Sequence, residues 1–187
     1  LILNPDIILS AKTVNSCIDF MSKNKQIALL SPKLFNEDGS TQNICRLLPS
    51  LGGLLMRVGG YFSGFAHNKL ESSLDLSKGP ITVPAIHGAC YFVRKSSFFS
   101  VGGFDEDYFL YVEDIDLCRR LSSTGEIVYF PEVGAIHAHG KGSYKNIRLT
   151  FYHLRSFFIY FQKWGLFFDP TRNKLNNPAG LSFQVSE

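Results

Sequence analysis

Apolar positions along this chain switch between the spacing of a strand and that of a helix, and the switches mark its elements. Leu1-Ile2-Leu3 has the form of a buried strand end, and Asn4-Pro5-Asp6 stops it because proline supplies no N–H for a ladder bond. Asn4 and Asp6 then project from a strand end, where α/β sheets bind ligands. The same tripeptide is also good turn chemistry, and residue type favours the turn. Ser10 is a helix N-cap, with Val14, Cys17, Ile18 and Met21 on one face of a helix reaching about Asn24. Residues 27–30 are an apolar strand, and 34–35, Asn36-Glu37-Asp38-Gly39 and 40–45 predict a hairpin with Asp-Gly in its turn. Strand, helix, strand and hairpin in that order predict an α/β fold with some antiparallel pairing.

The pattern between 46 and 80 is less decided. Residues 47–58 are apolar with helical character, but Gly52, Gly53, Gly59, Gly60 and Gly64 interrupt this part of the chain. It reads either as a loop facing an acceptor or a membrane, or as structure covering the core; 71–79 is a polar connector. From Ile81 the pattern tightens into a strand over 86–94, in which Gly88-Ala89 lets something approach the backbone closely. A short helix over 96–101 is closed by Gly102-Gly103. A strand over 127–130, then Pro131 and a short strand near 135–136, lead to His137-Ala138-His139-Gly140-Lys141-Gly142. Residues 147–168 form the most aromatic segment, interrupted by Arg148, His153, Arg155 and Lys163. Two readings stand for it: a helix lying in the plane of a membrane interface, or one packed on the core or on chain before residue 1. After Pro170 the chain is rich in asparagine and reads as a loose tail.

The acidic stretch from Asp105 to Asp116 carries the first candidate chemistry. Placing Asp114 at zero and stepping about 100° per residue, Leu117, Cys118 and Leu121 fall within about 60° of it, while Asp116, Arg119 and Arg120 point elsewhere. An acid on an apolar helical face is partly desolvated, which raises its proton affinity and suits a general base, although a helix N-terminus favours its anion. The plain alternative is that Glu113, Asp114 and Asp116 satisfy the first-turn dipole, with Asp116 and Arg120 as an i,i+4 pair. Both readings stand for Asp114; the plain one is preferred for Asp116. His137 and His139, at alternate positions, share a face of an extended segment and can reach one centre, although a solvated or hydrogen-bonded pair is the commoner arrangement. Lys141 between two glycines offers a cation and backbone donors to a phosphate, well short of a P-loop.

Composition narrows the picture. The 187 residues suffice for one sizeable core, and a net charge of +3 without a Lys/Arg run gives no footprint for nucleic acid. Cys17, Cys45, Cys90 and Cys118 lack the spacing of a metal knuckle and sit in apolar segments, as reduced core cysteines do. A strand at residue 1, with no Met before it, leads us to expect that an N-terminal portion is missing.

The motifs taken in order resemble a known family. Leu3-Asn4-Pro5-Asp6, Gly88-Ala89, Gly102-Gly103-Phe104-Asp105-Glu106, Tyr111-Val112-Glu113-Asp114-Ile115-Asp116-Leu117-Cys118-Arg119-Arg120 and His137 near Gly140 resemble the family 2 inverting glycosyltransferases of the GT-A fold, closest to bacterial rhamnosyltransferase-like members. The resemblance implies an α/β, GT-A-like mixed sheet (Rossmann-like, as in nucleotide-diphospho-sugar transferases) without its N-terminal strands. It implies three parts: 1–146 as the C-terminal portion of the catalytic domain, 147–168 as an aromatic amphipathic helix, and 169–187 as the loose tail. Asp114 matches the catalytic base and Glu113 its neighbour, orienting acceptor or base. Asp6 and His137 match ligands of a divalent cation, Mg²⁺ or Mn²⁺. Asn4, Asp6, His139 and Lys141 would meet the donor diphosphate, and Gly88, Ala89 and Asp105 the acceptor. Asn4 stands where the family's metal motif has an acid, which lowers the negative charge there. The implied partners are a dTDP-, UDP- or GDP-sugar and a saccharide or lipid-linked acceptor, in a cytoplasmic protein with peripheral contact to the inner face of the membrane. A sheet lacking its first strands would expose an edge, so self-association is also expected. Two other classes remain: a catalytically incomplete fragment serving as a carbohydrate- or partner-binding module, and a nucleotidyltransferase, which would need an N-terminal phosphate loop.

Overall fold

The computed structural model describes residues 1–54, 79–138 and 147–177. Its centre is β3 (Ile27–Phe35) beside β8 (Glu126–His137), paired in parallel from Ile27↔Glu126 to Phe35↔Ile136. β3 is nearly continuously buried, with Ile27, Leu29, Leu30 and Leu34 fully enclosed, as a strand covered on both faces must be. β7 (Cys90–Val93) pairs antiparallel with the other edge of β3, and β1 (Ile2–Leu3) pairs with β7. β2 (Ile7–Ile8) and β5 (Ile81–Thr82) both pair antiparallel with β8. The result is a mixed α/β fold with an open sheet, as the alternation of patterns implied.

Helix α1 (Ala11–Lys23) connects β2 to β3, as expected from Ser10 and the apolar spacing. Ser10 Oγ accepts the Thr13 N–H at 3.1 Å, and Thr13 Oγ1 in turn donates to the Gly134 carbonyl at 2.8 Å, pinning the helix start to β8. At its other end Arg94 donates to the carbonyls of Met21 at 3.0 Å and Asn24 at 3.3 Å, a cation placed where the helix dipole is negative.

Four expectations need correction. The Asn36–Gly39 turn forms, with Asn36 N–H donating to Ser40 O at 2.8 Å, but its return arm leaves β3 after one bridge, Phe35↔Thr41. Beyond that bridge the chain turns away, and β4 (Cys45–Arg46) pairs instead with β6 (Ala85–Ile86). The strand expected over 86–94 is therefore two strands, β6 and β7, broken at His87-Gly88. The segment around Pro131 is one strand rather than two, because a bulge opposite Pro32 and Lys33 absorbs the proline. The fourth correction concerns the C-terminal part, described next.

After β7 come α2 (Lys95–Ser100), closed by Gly102 and Gly103 at φ +80° and +71°, then α3 (Glu113–Leu121) and α4 (Ile147–Trp164). α4 is shorter than its aromatic pattern because Gly165, at φ +89°, ends it. The expected loose tail is ordered over 169–177. Asp169 caps α5 (Pro170–Leu175) by accepting the Arg172 N–H at 2.9 Å. Asp169 also takes a bidentate pair from Arg119 of α3, at 2.5 and 2.7 Å. The Asn176 side chain both accepts from and donates to the backbone of Leu48 at 2.9 Å. Polar composition misled there because Asp169, Arg172 and Asn176 have partners far away in sequence. Residues 178–187 lie outside the described chain, as do 55–78.

All four cysteines are free and buried. Burial pushes the thiols of Cys17, Cys90 and Cys118 up to about 12, so they are inert core residues.

Candidate active site

Asp114 stands in the first turn of α3, and its surroundings explain the break between β6 and β7. Its Oδ2 accepts the Gly88 N–H at 3.0 Å and its Oδ1 accepts the Ile115 N–H at 2.8 Å. A Cβ added at Gly88 would meet the Asp114 Cβ at 3.0 Å. What approaches the small residue closely is therefore this acid at the start of α3. The neighbouring Ala89 is fully buried, and its carbonyl accepts the Asn4 N–H at 2.9 Å. Asn4, Gly88-Ala89 and Asp114 are thus joined in one hydrogen-bonded chain.

The loop before Asp114 is strained. Tyr111 and Val112 have φ of +68° and +69°, a left-handed conformation that costs about 1–2 kcal/mol per residue outside glycine and is a clear outlier for a β-branched residue. Helix α4 over-determines it. Val112 is buried with Tyr108 against Phe157 and Tyr160. The Tyr111 ring lies 4.7 Å from His153 and the Phe109 ring 4.8 Å from Tyr152. Ser156 Oγ donates to Leu110 O at 2.7 Å. None of these contacts could be read from spacing, because they span some 40 residues.

Glu113 differs from its neighbour. Burial, and then the charge of Asp114, push its carboxyl above the ordinary 4.5. Its Oε2 is enclosed without a partner among the described residues.

Asp6 and His137 meet across the β2–β8 pair. Ile7 is in register with His137, and Ala138 N–H donates to Asp6 O at 3.0 Å. His137 Nε2 lies 3.4 Å from Asp6 Oδ2, with the imidazole buried and Asp6 partly open. Gln42, which the sequence reading passed over, sets the tautomer. Its Nε2 donates to the carbonyl oxygens of Asn36 at 2.7 Å and His137 at 3.1 Å, so its Oε1 faces His137 Nδ1 at 2.8 Å. Nδ1 must then carry the proton, and in the neutral ring the Nε2 lone pair faces the Asp6 carboxylate. Nitrogen and oxygen donors with an oriented imidazole suit a divalent ion. Among the described residues no third His, Cys, Asp or Glu joins them. His139 and Lys141 lie outside the described residues.

Asp105 and Asp116 are held elsewhere. Asp116 makes the i,i+4 pair with Arg120 that the sequence reading preferred, and it is fully buried. It accepts from Arg120 Nε at 2.7 Å, Lys163 Nζ at 3.0 Å and Trp164 Nε1 at 2.7 Å. Asp105 shares the same lysine at 2.6 Å, and that hydrogen bond holds its carboxyl below the usual range. The wheel found the face of α3 that meets the sheet, but α4 covers the opposite face, making it a second interior. The structure thus brings Asn4, Gly88, Ala89, Glu113 and Asp114 together, and Asp6 with His137, while Asp105 braces α4.

No family model matches the chain. It is 34% identical over 149 residues to the N-acetylglucosaminyl-diphospho-decaprenol L-rhamnosyltransferase of Mycobacterium tuberculosis, covering 76% of this chain and 48% of that protein. It is 32% identical over 164 residues to the rhamnosyltransferase WbbL of Escherichia coli, covering 86% and 60%. A hexosyltransferase of low-salt glycan biosynthesis, Agl10 of Haloferax volcanii, is 26% identical over 123 residues, covering 64% and 35%. The chain spans about half the length of the mycobacterial relative. It is related to rhamnosyltransferase-like glycosyltransferases, as its motifs implied.

Proposed function

We propose that this relative of rhamnosyltransferases is the acceptor side and base of an inverting glycosyltransferase with a GT-A fold. It would pass a sugar, rhamnose on the strength of its relatives' names, from a nucleoside-diphosphate donor to a hydroxyl of a saccharide or lipid-linked acceptor in surface polysaccharide synthesis. The observation that carries this reading is the Asp114 carboxylate, fixed by the Gly88 N–H at 3.0 Å at the end of a strained loop.

The reaction is a single displacement. Asp114 takes the proton of the acceptor hydroxyl as its oxygen forms a bond to the anomeric carbon. The bond from that carbon to the donor phosphate oxygen breaks in line, and the nucleoside diphosphate leaves with the electron pair. In-line attack inverts the anomeric centre. Glu113, beside Asp114, would orient the acceptor or the base. Asp6 and His137 would hold a Mg²⁺ or Mn²⁺ ion, which when bound neutralises charge on the leaving diphosphate.

Asp114→Asn is the test. Transfer from labelled dTDP-, UDP- and GDP-sugars to a lipid-linked saccharide should fall by about 10²–10⁴-fold, the range for losing a general base, with the urea midpoint little changed. Turnover within tenfold of the parent would remove Asp114 from the mechanism.

A further inference from the structure

The turn over 36–39 persists although the hairpin it would close does not, and its side chains lead back to the site. Asn36 N–H donates to Ser40 O at 2.8 Å and Gly39 N–H, at φ +81°, to Asn36 O at 3.0 Å. Gln42 N–H donates to Leu34 O at 2.8 Å. Phe35 is bridged to Thr41 on one side and in register with Ile136 of β8 on the other. The residues that follow these two neighbours are Gln42 and His137, so the turn delivers the Gln42 side chain to the end of β8.

The hydrogen bonds from this turn run in one direction, because both ends of the chain are oxygens that only accept. At the outer end the Asp38 carboxylate accepts the Ser40 hydroxyl at 2.5 Å. With its hydrogen so placed, Ser40 Oγ accepts from Asn36 Nδ2 at 2.7 Å. That leaves Asn36 Oδ1 to accept from Gln42 Nε2 at 2.7 Å. At the inner end the His137 carbonyl accepts the second hydrogen of Gln42 Nε2 at 3.1 Å. Both ends therefore give Gln42 the same orientation, with Oε1 2.8 Å from His137 Nδ1. They do not weigh equally. Asp38 and Ser40 are exposed, so water can replace either, whereas Gln42 is half-buried and His137 is only 2% exposed. A reversed Gln42 amide would set its oxygen against the buried His137 carbonyl, two acceptors with no hydrogen between them.

We infer that Gln42 is a positioning residue for the Asp6–His137 pair: it holds the imidazole in its Nδ1–H form, so that Nε2, 3.4 Å from Asp6 Oδ2, is the ring atom offered to a ligand. Gln42 acts through the ring, as the partner of one imidazole nitrogen decides the state of the other. The chemistry served rests on the proposed function, in which Asp6 and His137 would hold a divalent ion, since only a ring nitrogen free of hydrogen binds one. The tautomer itself does not depend on that reading and is measured without metal, donor or acceptor.

The experiment is nuclear magnetic resonance of the metal-free chain with ¹⁵N-labelled histidine at about pH 8, above the ordinary imidazole range. Couplings between the ring nitrogens and the ring carbon-bound protons show which nitrogen carries hydrogen, and His137→Gln identifies the signals. The parent should show His137 as Nδ1–H, a result that tests the assignment whether or not any variant folds. Gln42→Met keeps the side-chain length without its donors or acceptor, and should lose that signature to the Nε2–H form or a mixture, with an unchanged circular dichroism spectrum. Asn36→Asp still offers an oxygen to Gln42 Nε2 and should keep Nδ1–H. A parent or an Asn36→Asp variant in the Nε2–H form, or a Gln42→Met variant still in the Nδ1–H form, would overturn the inference. Mn²⁺ alone, titrated by electron paramagnetic resonance, gives a second readout: its affinity should fall about 10–100-fold in Gln42→Met and should not fall in Asn36→Asp. Equal Mn²⁺ affinity in the parent and Gln42→Met would overturn the positioning role. A parent in the Nδ1–H form that takes up no Mn²⁺ would uphold the tautomer and remove the ion from the proposed function instead.

Discussion

Adding one methyl group at Gly88 tests whether the position of Asp114, rather than its presence alone, matters. The new Cβ would lie 3.0 Å from the Asp114 Cβ, where carbon atoms ordinarily rest at about 3.5–4.0 Å. The two segments must part by a few tenths of an ångström, and neither yields freely. On one side His87 N–H donates to Ile44 O at 2.8 Å and Ala89 O accepts from Asn4 at 2.9 Å. On the other, α3 is fixed by Lys163 and Trp164 of α4 on Asp116 and by the bidentate Arg119–Asp169 pair. The 3.0 Å bond from Gly88 to Oδ2 therefore lengthens and weakens. A hydrogen bond to a charged group is worth about 1.5–3 kcal/mol. Gly88 is not at positive φ, so alanine is allowed there and restricts the unfolded chain by about 0.4–1 kcal/mol in compensation. The net loss of stability is then at most about 1–2 kcal/mol, read from a urea melt. Displacing a reacting group by about 1 Å costs about 10²-fold in rate, and a few tenths of that correspondingly less. Gly88→Ala should therefore lower turnover at saturating donor and acceptor severalfold, up to about tenfold, while remaining folded at assay temperature. A folded variant with parental turnover would refute the link between this contact and catalysis.

Glu113 predicts a pH dependence. Its folded carboxyl binds a proton more tightly than the unfolded one, so its contribution to stability is full below about 4.5 and is lost as pH rises through the raised value; Glu113→Gln should flatten that part of a stability–pH profile measured by urea melts. Asp169→Asn breaks a buried ion pair and leaves Arg119 unneutralised, which should cost about 3–5 kcal/mol in a thermal or urea melt. Asp6→Ala and His137→Ala should each abolish any Mn²⁺-dependent part of nucleoside diphosphate binding in calorimetry; unchanged metal dependence in both would return Asn4-Pro5-Asp6 to a simple turn.

What was legible in the sequence was whatever depends on near neighbours. Ser10 and the spacing of Val14, Cys17 and Met21 placed α1 within a residue of Ala11–Lys23. The apolar face of α3 was found by its period, and with it the acid that does not belong there. The rest depended on partners far away. Gln42 fixes the His137 ring across 95 residues, and glutamine on a hairpin arm carries no mark of that task. Polar composition after Pro170 suggested disorder, yet Asp169, Arg172 and Asn176 find their partners on α3, near Leu48 and within the segment itself. The hairpin stops after one bridge because the chain beyond it turns away and pairs through β4 with β6, a partner that no local pattern shows.

Asp116 shows why α4 cannot be treated as an appendage. A buried carboxylate is tolerated only when its charge and lone pairs are met, and two of the donors that meet it, Lys163 and Trp164, come from α4. The left-handed Tyr111 and Val112 together cost about 2–4 kcal/mol, which the burial of Val112 against Phe157 and Tyr160 is of the size to offset. Without α4, Asp116 would lose two of its partners and the left-handed loop its packing. The helix is thus a structural condition for the geometry of Asp114.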